Sequence, residues 1–105
     1  MRFNLERQFD LAQSLEVAEH LPQARAATFV SDLVAHAPVV LFSAASPGQG
    51  GENHINEQPA EYWRKLFRQH DYFAIDCLRP LLARMPNIPV WYRYNICLLY
   101  TSRCV

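Results

Sequence analysis

Glycine is scarce in this chain of 105 residues. There are three, Gly48, Gly50 and Gly51, and all lie in one stretch, FSAASPGQGGENHINEQ, Phe42 to Gln58. No Lys-Ser/Thr pair follows PGQGG and no helix is expected directly after it, which excludes a P-loop or a dinucleotide fingerprint. Cysteine is equally sparse. Cys77, Cys97 and Cys104 form no C-x-x-C pair and leave an odd thiol, which argues against a disulfide framework or a zinc knuckle and suits a reducing cytoplasm. No apolar run approaches membrane-spanning length, and MRFNLERQFD lacks the apolar core of a signal peptide. The chain therefore reads as soluble and intracellular. Net charge is also missing, ten basic residues against ten acidic, so no global pull toward nucleic acid or membrane exists. The halves differ, however. Up to Gln58 there are three basic residues and seven acids; from Pro59 onward the numbers are seven and three. Two solvated faces explain that, and a basic binding patch is the alternative.

What is present is ordinary globular composition, half apolar and 19% charged, enough for one modest domain. FDLAQSLEV, Phe9 to Val17, reads as a buried strand. Pro22 opens a helix, QARAATFVSDLVAHA, whose Ala26, Ala27, Val30, Leu33, Val34 and Ala37 recur at three-and-four spacing while Arg25, Ser31, Asp32 and Ala35 fall elsewhere. Pro38 stops it. VVLFSA, Val39 to Ala44, is apolar throughout, as a central parallel strand covered on both faces would be. A second amphipathic helix begins near Pro59, with Tyr62, Trp63, Leu66 and Phe67 as its stripe. Tyr72 to Leu78 reads as a strand and Arg79 to Met85 as a short helix. After the PNIP break, VWYRYNICLLY from Val90 reads as a last strand. Alternation of this kind predicts an α/β fold with a mainly parallel sheet between helices.

Ligands of open α/β sheets bind beyond the carboxyl ends of the strands. Two segments leave strands there: LEVAEHLP, with Glu16, Glu19 and His20, and the glycine loop, with His54, Asn56 and Glu57. Two carboxylates and two imidazoles suit a divalent ion. They equally suit a general base whose tautomer a carboxylate fixes. Each residue also has a plain reading. Glu19 and His20 would be solvated positions before a helix, His54 a surface histidine, and Tyr62, Trp63 and Phe67 core.

FDLAQSLEVAEHLP followed by a helix, then VVLFSAASPGQGGENHINEQPAEYWRKLF, resembles the second half of a class I S-adenosylmethionine-dependent methyltransferase. The likeness runs over Phe9 to Asn95 and rests on E-V-x-E-H-L and PGQGG-x-x-H-x-NEQ. It implies a Rossmann-like sheet of which strands four to seven are present. The last strand would run antiparallel beside the fifth, with the sixth outside it. The family's glycine-rich turn after strand one and the acid ending strand two are absent, so the resemblance implies that the first three strands are missing. Residues 1–96 would then be a partial methyltransferase domain with little activity alone. The tail 97–105, ending CLLYTSRCV, is set apart as sequencing read-through. Carried over by position, Ser14, Leu15 and Glu16 would line the methionine side of S-adenosylmethionine. Glu19 and His20 would flank the methyl-transfer centre, and His54 would face a small-molecule acceptor bearing a hydroxyl.

Two other readings stay open. Small-RNA terminal methyltransferases are similar in an E-x-x-E-H and a later histidine gathering a divalent ion. That reading makes Glu16, Glu19, His20 and His54 metal ligands for RNA 2′-O-methylation, and zero net charge weighs against RNA. The other is a non-enzymatic truncated α/β module. In either form the Phe9–Val17 strand would be an unpaired edge, open to self-association.

Overall fold

The computed structural model describes residues 2–102. Four strands form one mixed sheet: β1 (Ala12–Leu15), β2 (Val39–Ser43), β3 (Phe73–Ile75) and β4 (Cys97–Tyr100). The helices are α1 (Gln23–His36), α2 (Ala60–Arg68), α3 (Arg79–Leu82) and α4 (Val90–Asn95), with a 3-10 turn at Ala18–His20. The order across the sheet is β1-β2-β4-β3. β1 and β2 are parallel, with Ser14 beside Phe42 and Leu15 beside Ser43. β4 runs antiparallel to both β2 and β3. A small α/β domain is thus as expected, but the sheet is mixed rather than mainly parallel: β1–β2 is the one parallel pairing among the described residues, and both pairings of β4 are antiparallel.

One segment differs from the sequence reading. Val90–Asn95 is a helix entered through Pro89, and the last strand begins only at Cys97. The slot beside β2 takes four residues, Cys97 to Tyr100 against Phe42 to Val39, so VWYRYN lies outside the ladder. It coils instead from a proline whose φ of −53° already suits a helix start. Cys97–Tyr100 belongs to the stretch set apart as tail; of that stretch residues 103–105 lie outside the described residues. The first strand is also shorter than FDLAQSLEV suggests, because Glu16 takes a φ of +56° and ends it.

The core gathers on the sheet face that α1 and α2 cover. Val40, Phe42 and Leu99 meet Phe29, Val30 and Leu33 of α1 and Trp63 and Phe67 of α2. The Phe42 ring lies 5.2 Å from Phe67 and 5.4 Å from Trp63. The opposite face is less covered: Val39 and Leu41 are only half-buried, whereas the unbroken apolar run predicts burial on both sides. Asp32, placed off the apolar stripe by its spacing, is buried. The amino-terminal segment crosses it, and the Arg2 and Arg25 side chains both pair with its carboxylate at 2.8 Å. Burial pushes the Asp32 carboxyl up, but Arg2, the Phe3 N–H and Arg25 outweigh it and hold the group below its ordinary range. No helix among the described residues is long and apolar enough to cross a membrane.

Candidate functional site

The two strand exits meet. β1 ends at Leu15, and the Glu16 N–H donates to the Ser43 carbonyl at 2.9 Å and lies 3.1 Å from its hydroxyl. This ties the first exit to the end of β2. The turn Ala18–His20 then lies under the glycine loop, whose Ile55 and Asn56 N–H groups both donate to the Glu19 carbonyl at 3.0 Å. Glu19 itself is fully buried. Its Oε1 accepts the Ala45 N–H at 2.9 Å, while Oε2 has no hydrogen-bond partner among the described residues.

That second oxygen faces two imidazoles. His20 Nε2 stands 3.3 Å from it and His54 Nε2 3.8 Å. The two rings meet edge to face with centroids 4.7 Å apart. One ligand atom from each of Glu19, His20 and His54 lies within 4.8 Å of the others. The structure thus brings Glu19, His20 and His54 together.

The far side of each imidazole is also occupied. His20 Nδ1 is 3.2 Å from the Asn53 carbonyl, and His54 Nδ1 is 2.8 Å from Glu57 Oε2. A carbonyl and an ionised carboxylate only accept, so both Nδ1 atoms donate. In the neutral rings the proton then sits on Nδ1, which leaves both Nε2 atoms, 3.3 and 3.8 Å from Glu19 Oε2, unprotonated.

Glu57 is held by the loop it closes. Its two oxygens accept the Gly48 N–H at 3.1 Å and the Gly50 N–H at 2.9 Å. Gly48 and Gly50 have φ of +83° and +75°, where a side chain is strained. The His54 hydrogen bond, against some desolvation and with help from the two glycine N–H groups, holds the Glu57 carboxyl below its ordinary range.

Glu16 does not join the cluster. Its Oε1 accepts from Gln49 at 3.1 Å and lies 3.4 Å from the Asn95 amide nitrogen, while Oε2 is buried without a partner among the described residues. Of the four-ligand set drawn from the sequence, the structure brings three together and leaves Glu16 in a network of its own. Ser14 is buried in β1 with its hydroxyl likewise unpartnered, and Leu15 is half-buried. Ser46 and Asn95 carry this network to the rim of an apolar cleft of about 50 Å³, open to solvent, between Phe42, Trp63 and Tyr94. The cleft itself does not include Glu19, His20 or His54.

No family model, no curated protein and no solved structure matches this chain. The site therefore has to be read from its own chemistry. Sequence reasoning missed Gln49 and Asn95 as partners of Glu16, and Asn53 as the acceptor for His20. It named Glu57 as a loop acid but not as the partner of His54. The three-residue spacing from His54 to Glu57 lies in a loop, where it fixes no direction.

Proposed function

We propose that the chain is a portion of a class I S-adenosylmethionine-dependent methyltransferase, acting in the cytoplasm on a small hydroxyl-bearing acceptor. The observation that carries this reading is the run of buried oxygens from Ser14 to Glu19 that have no hydrogen-bond partner among the described residues: Ser14 Oγ, Glu16 Oε2 and Glu19 Oε2. Buried polar atoms are ordinarily paired, and three unpaired ones at a single strand exit fit a missing ligand there. The strand order, with an antiparallel β4 between β2 and β3, supports the same reading.

The cofactor supplies an activated methyl group on a sulfonium centre. Ser14, Leu15 and Glu16 would hold its amino-acid end, where a hydroxyl and a carboxylate suit an ammonium group. His20 and His54 present Nε2 atoms able to take the acceptor's proton, and the Glu19 carboxylate stabilises the imidazolium that results. The glycine loop walls off the acceptor side. Orientation is the larger part of catalysis for such a displacement.

Calorimetric titration of the chain with S-adenosylhomocysteine tests the reading. Saturable binding is expected, weakened about tenfold by Glu16→Ala, the size of one lost charged hydrogen bond. Absence of saturable binding at millimolar ligand overturns it, and would leave the chain a non-enzymatic module.

A second reading is favoured by the closeness of three ligand atoms, all within 4.8 Å of one another. His20 Nε2, His54 Nε2 and Glu19 Oε2 form a two-nitrogen, one-oxygen set suited to a borderline divalent ion, with both Nδ1 atoms already oriented by acceptors. The ion would polarise an acceptor hydroxyl, as in a metal-assisted 2′-O-methyltransferase. Titration with Co2+, followed by its visible spectrum, decides this. Binding that His54→Ala abolishes supports the ion, and a spectrum identical to the free aquo ion removes it.

A further inference from the structure

The glycine loop has a use that goes beyond walling off an acceptor. We infer that it is a positioning device for His54, with Glu57 as the positioning residue. The Glu57 carboxylate, fixed by Gly48 and Gly50, keeps the proton of a neutral His54 on Nδ1 and leaves Nε2, 3.8 Å from Glu19 Oε2, unprotonated. The value of that arrangement to catalysis rests on the proton-accepting role proposed above. The geometry does not.

Three features carry the inference. The first is the bond itself, His54 Nδ1 to Glu57 Oε2 at 2.8 Å, with the ring and the carboxylate both largely shielded from solvent. The second is how the acceptor is held. Glu57 reaches back along the loop to the N–H groups of Gly48 and Gly50 at 3.1 and 2.9 Å, so its oxygens cannot swing away from the ring without losing bonds on both. The third is the space given to the ring. A Cβ at Gly51 would lie 2.5 Å from His54 Cε1, 2.7 Å from Nε2 and 2.9 Å from Nδ1, so any side chain there displaces the imidazole. All three glycines are thereby accounted for. Two present N–H groups to the carboxylate, and the third vacates the place where the imidazole sits.

The same loop fixes the second imidazole through the Asn53 carbonyl, 3.2 Å from His20 Nδ1, at a residue with φ of +63°. Both rings therefore offer the site the same nitrogen. Glu57 touches neither of the atoms it serves at Glu19 and His20; it acts through His54.

Long-range proton–nitrogen correlation spectra of the imidazoles test this directly, taken at about pH 8.5, above the ordinary histidine range. His54 is expected to show a protonated Nδ1 and an unprotonated Nε2. In Glu57→Ala at least half of the population should move to the Nε2-protonated form, and Glu57→Gln, which keeps one acceptor oxygen, should fall between. His36 serves as the internal control. Its Nδ1 donates to the Asp32 carbonyl and its Nε2 accepts the Leu5 N–H, so its tautomer should stay unchanged in every folded variant. An Nε2-protonated His54 in the unaltered chain overturns the proposal even if a variant fails to fold. An unchanged His54 tautomer in folded Glu57→Ala removes Glu57 from the role. Neither readout needs cofactor, acceptor or turnover. Failure here is thus distinct from failure of the methyl-transfer reading, which the S-adenosylhomocysteine titration reports.

Discussion

Glu19 Oε1 accepts from the Ala45 N–H while Oε2 looks onto two imidazoles, so one buried carboxylate serves the chain after β2 and the site together. The two duties separate under substitution. Glu19→Gln keeps an oxygen for Ala45 and removes the negative charge; Glu19→Ala strands the Ala45 N–H in a place water does not reach. An abandoned buried donor costs about 1–3 kcal/mol, and the cavity adds to it. Urea unfolding should therefore find Glu19→Ala less stable than Glu19→Gln by about 2 kcal/mol, and equal midpoints would show that the Ala45 bond carries no weight. At this scale the sequence was informative where chemistry is local. Glu19, His20 and His54 stood out because carboxylates and imidazoles at strand exits are few. Asn95 did not, because it meets Glu16 across 79 positions of chain, and no spacing rule reaches that far. Glu57 was in view but a three-residue offset fixes a direction only on a helix, and this offset lies in a loop.

At the scale of elements, legibility follows the strength of each pattern. α1 runs Gln23–His36 as its proline bounds and apolar stripe require, and α2 follows Pro59 in the same way. The strands were found but their ends were not. FDLAQSLEV shrinks to Ala12–Leu15 because pairing partners, not apolar character, set the length of a strand. VWYRYNICLLY splits for the same reason: β2 has places for only its second part. Asp32 misled in another way. A helical wheel puts it off the stripe, yet the segment from Arg2 to Leu5 crosses α1 and bonds both Asp32 and His36. Burial of that kind comes from tertiary contact and leaves no periodic trace.

The molecule as a whole is a sheet with two open sides. Among the described residues β1 pairs only with β2, and β3 only with β4. An unpaired strand edge is a template for another chain. In a parallel ladder the N–H groups of one strand alternate between its neighbours. The Glu16 N–H points to β2, at Ser43, so Ser14 shares that direction and Gln13 points the other way, to the open edge. Gln13 is exposed. A proline there removes an outward donor and leaves the β1–β2 ladder intact, as proline on the open side of an edge strand does. Sedimentation velocity at about 100 μM should then show the unaltered chain associating with rising concentration and Gln13→Pro remaining monomeric, both with the same far-ultraviolet dichroism. A monomeric unaltered chain at that concentration would mean that the β1 edge is guarded in solution. Association that persists in Gln13→Pro would move the contact to β3, where Phe73 and Ile75 are exposed on the other edge, or to the half-covered sheet face carrying Val39 and Leu41.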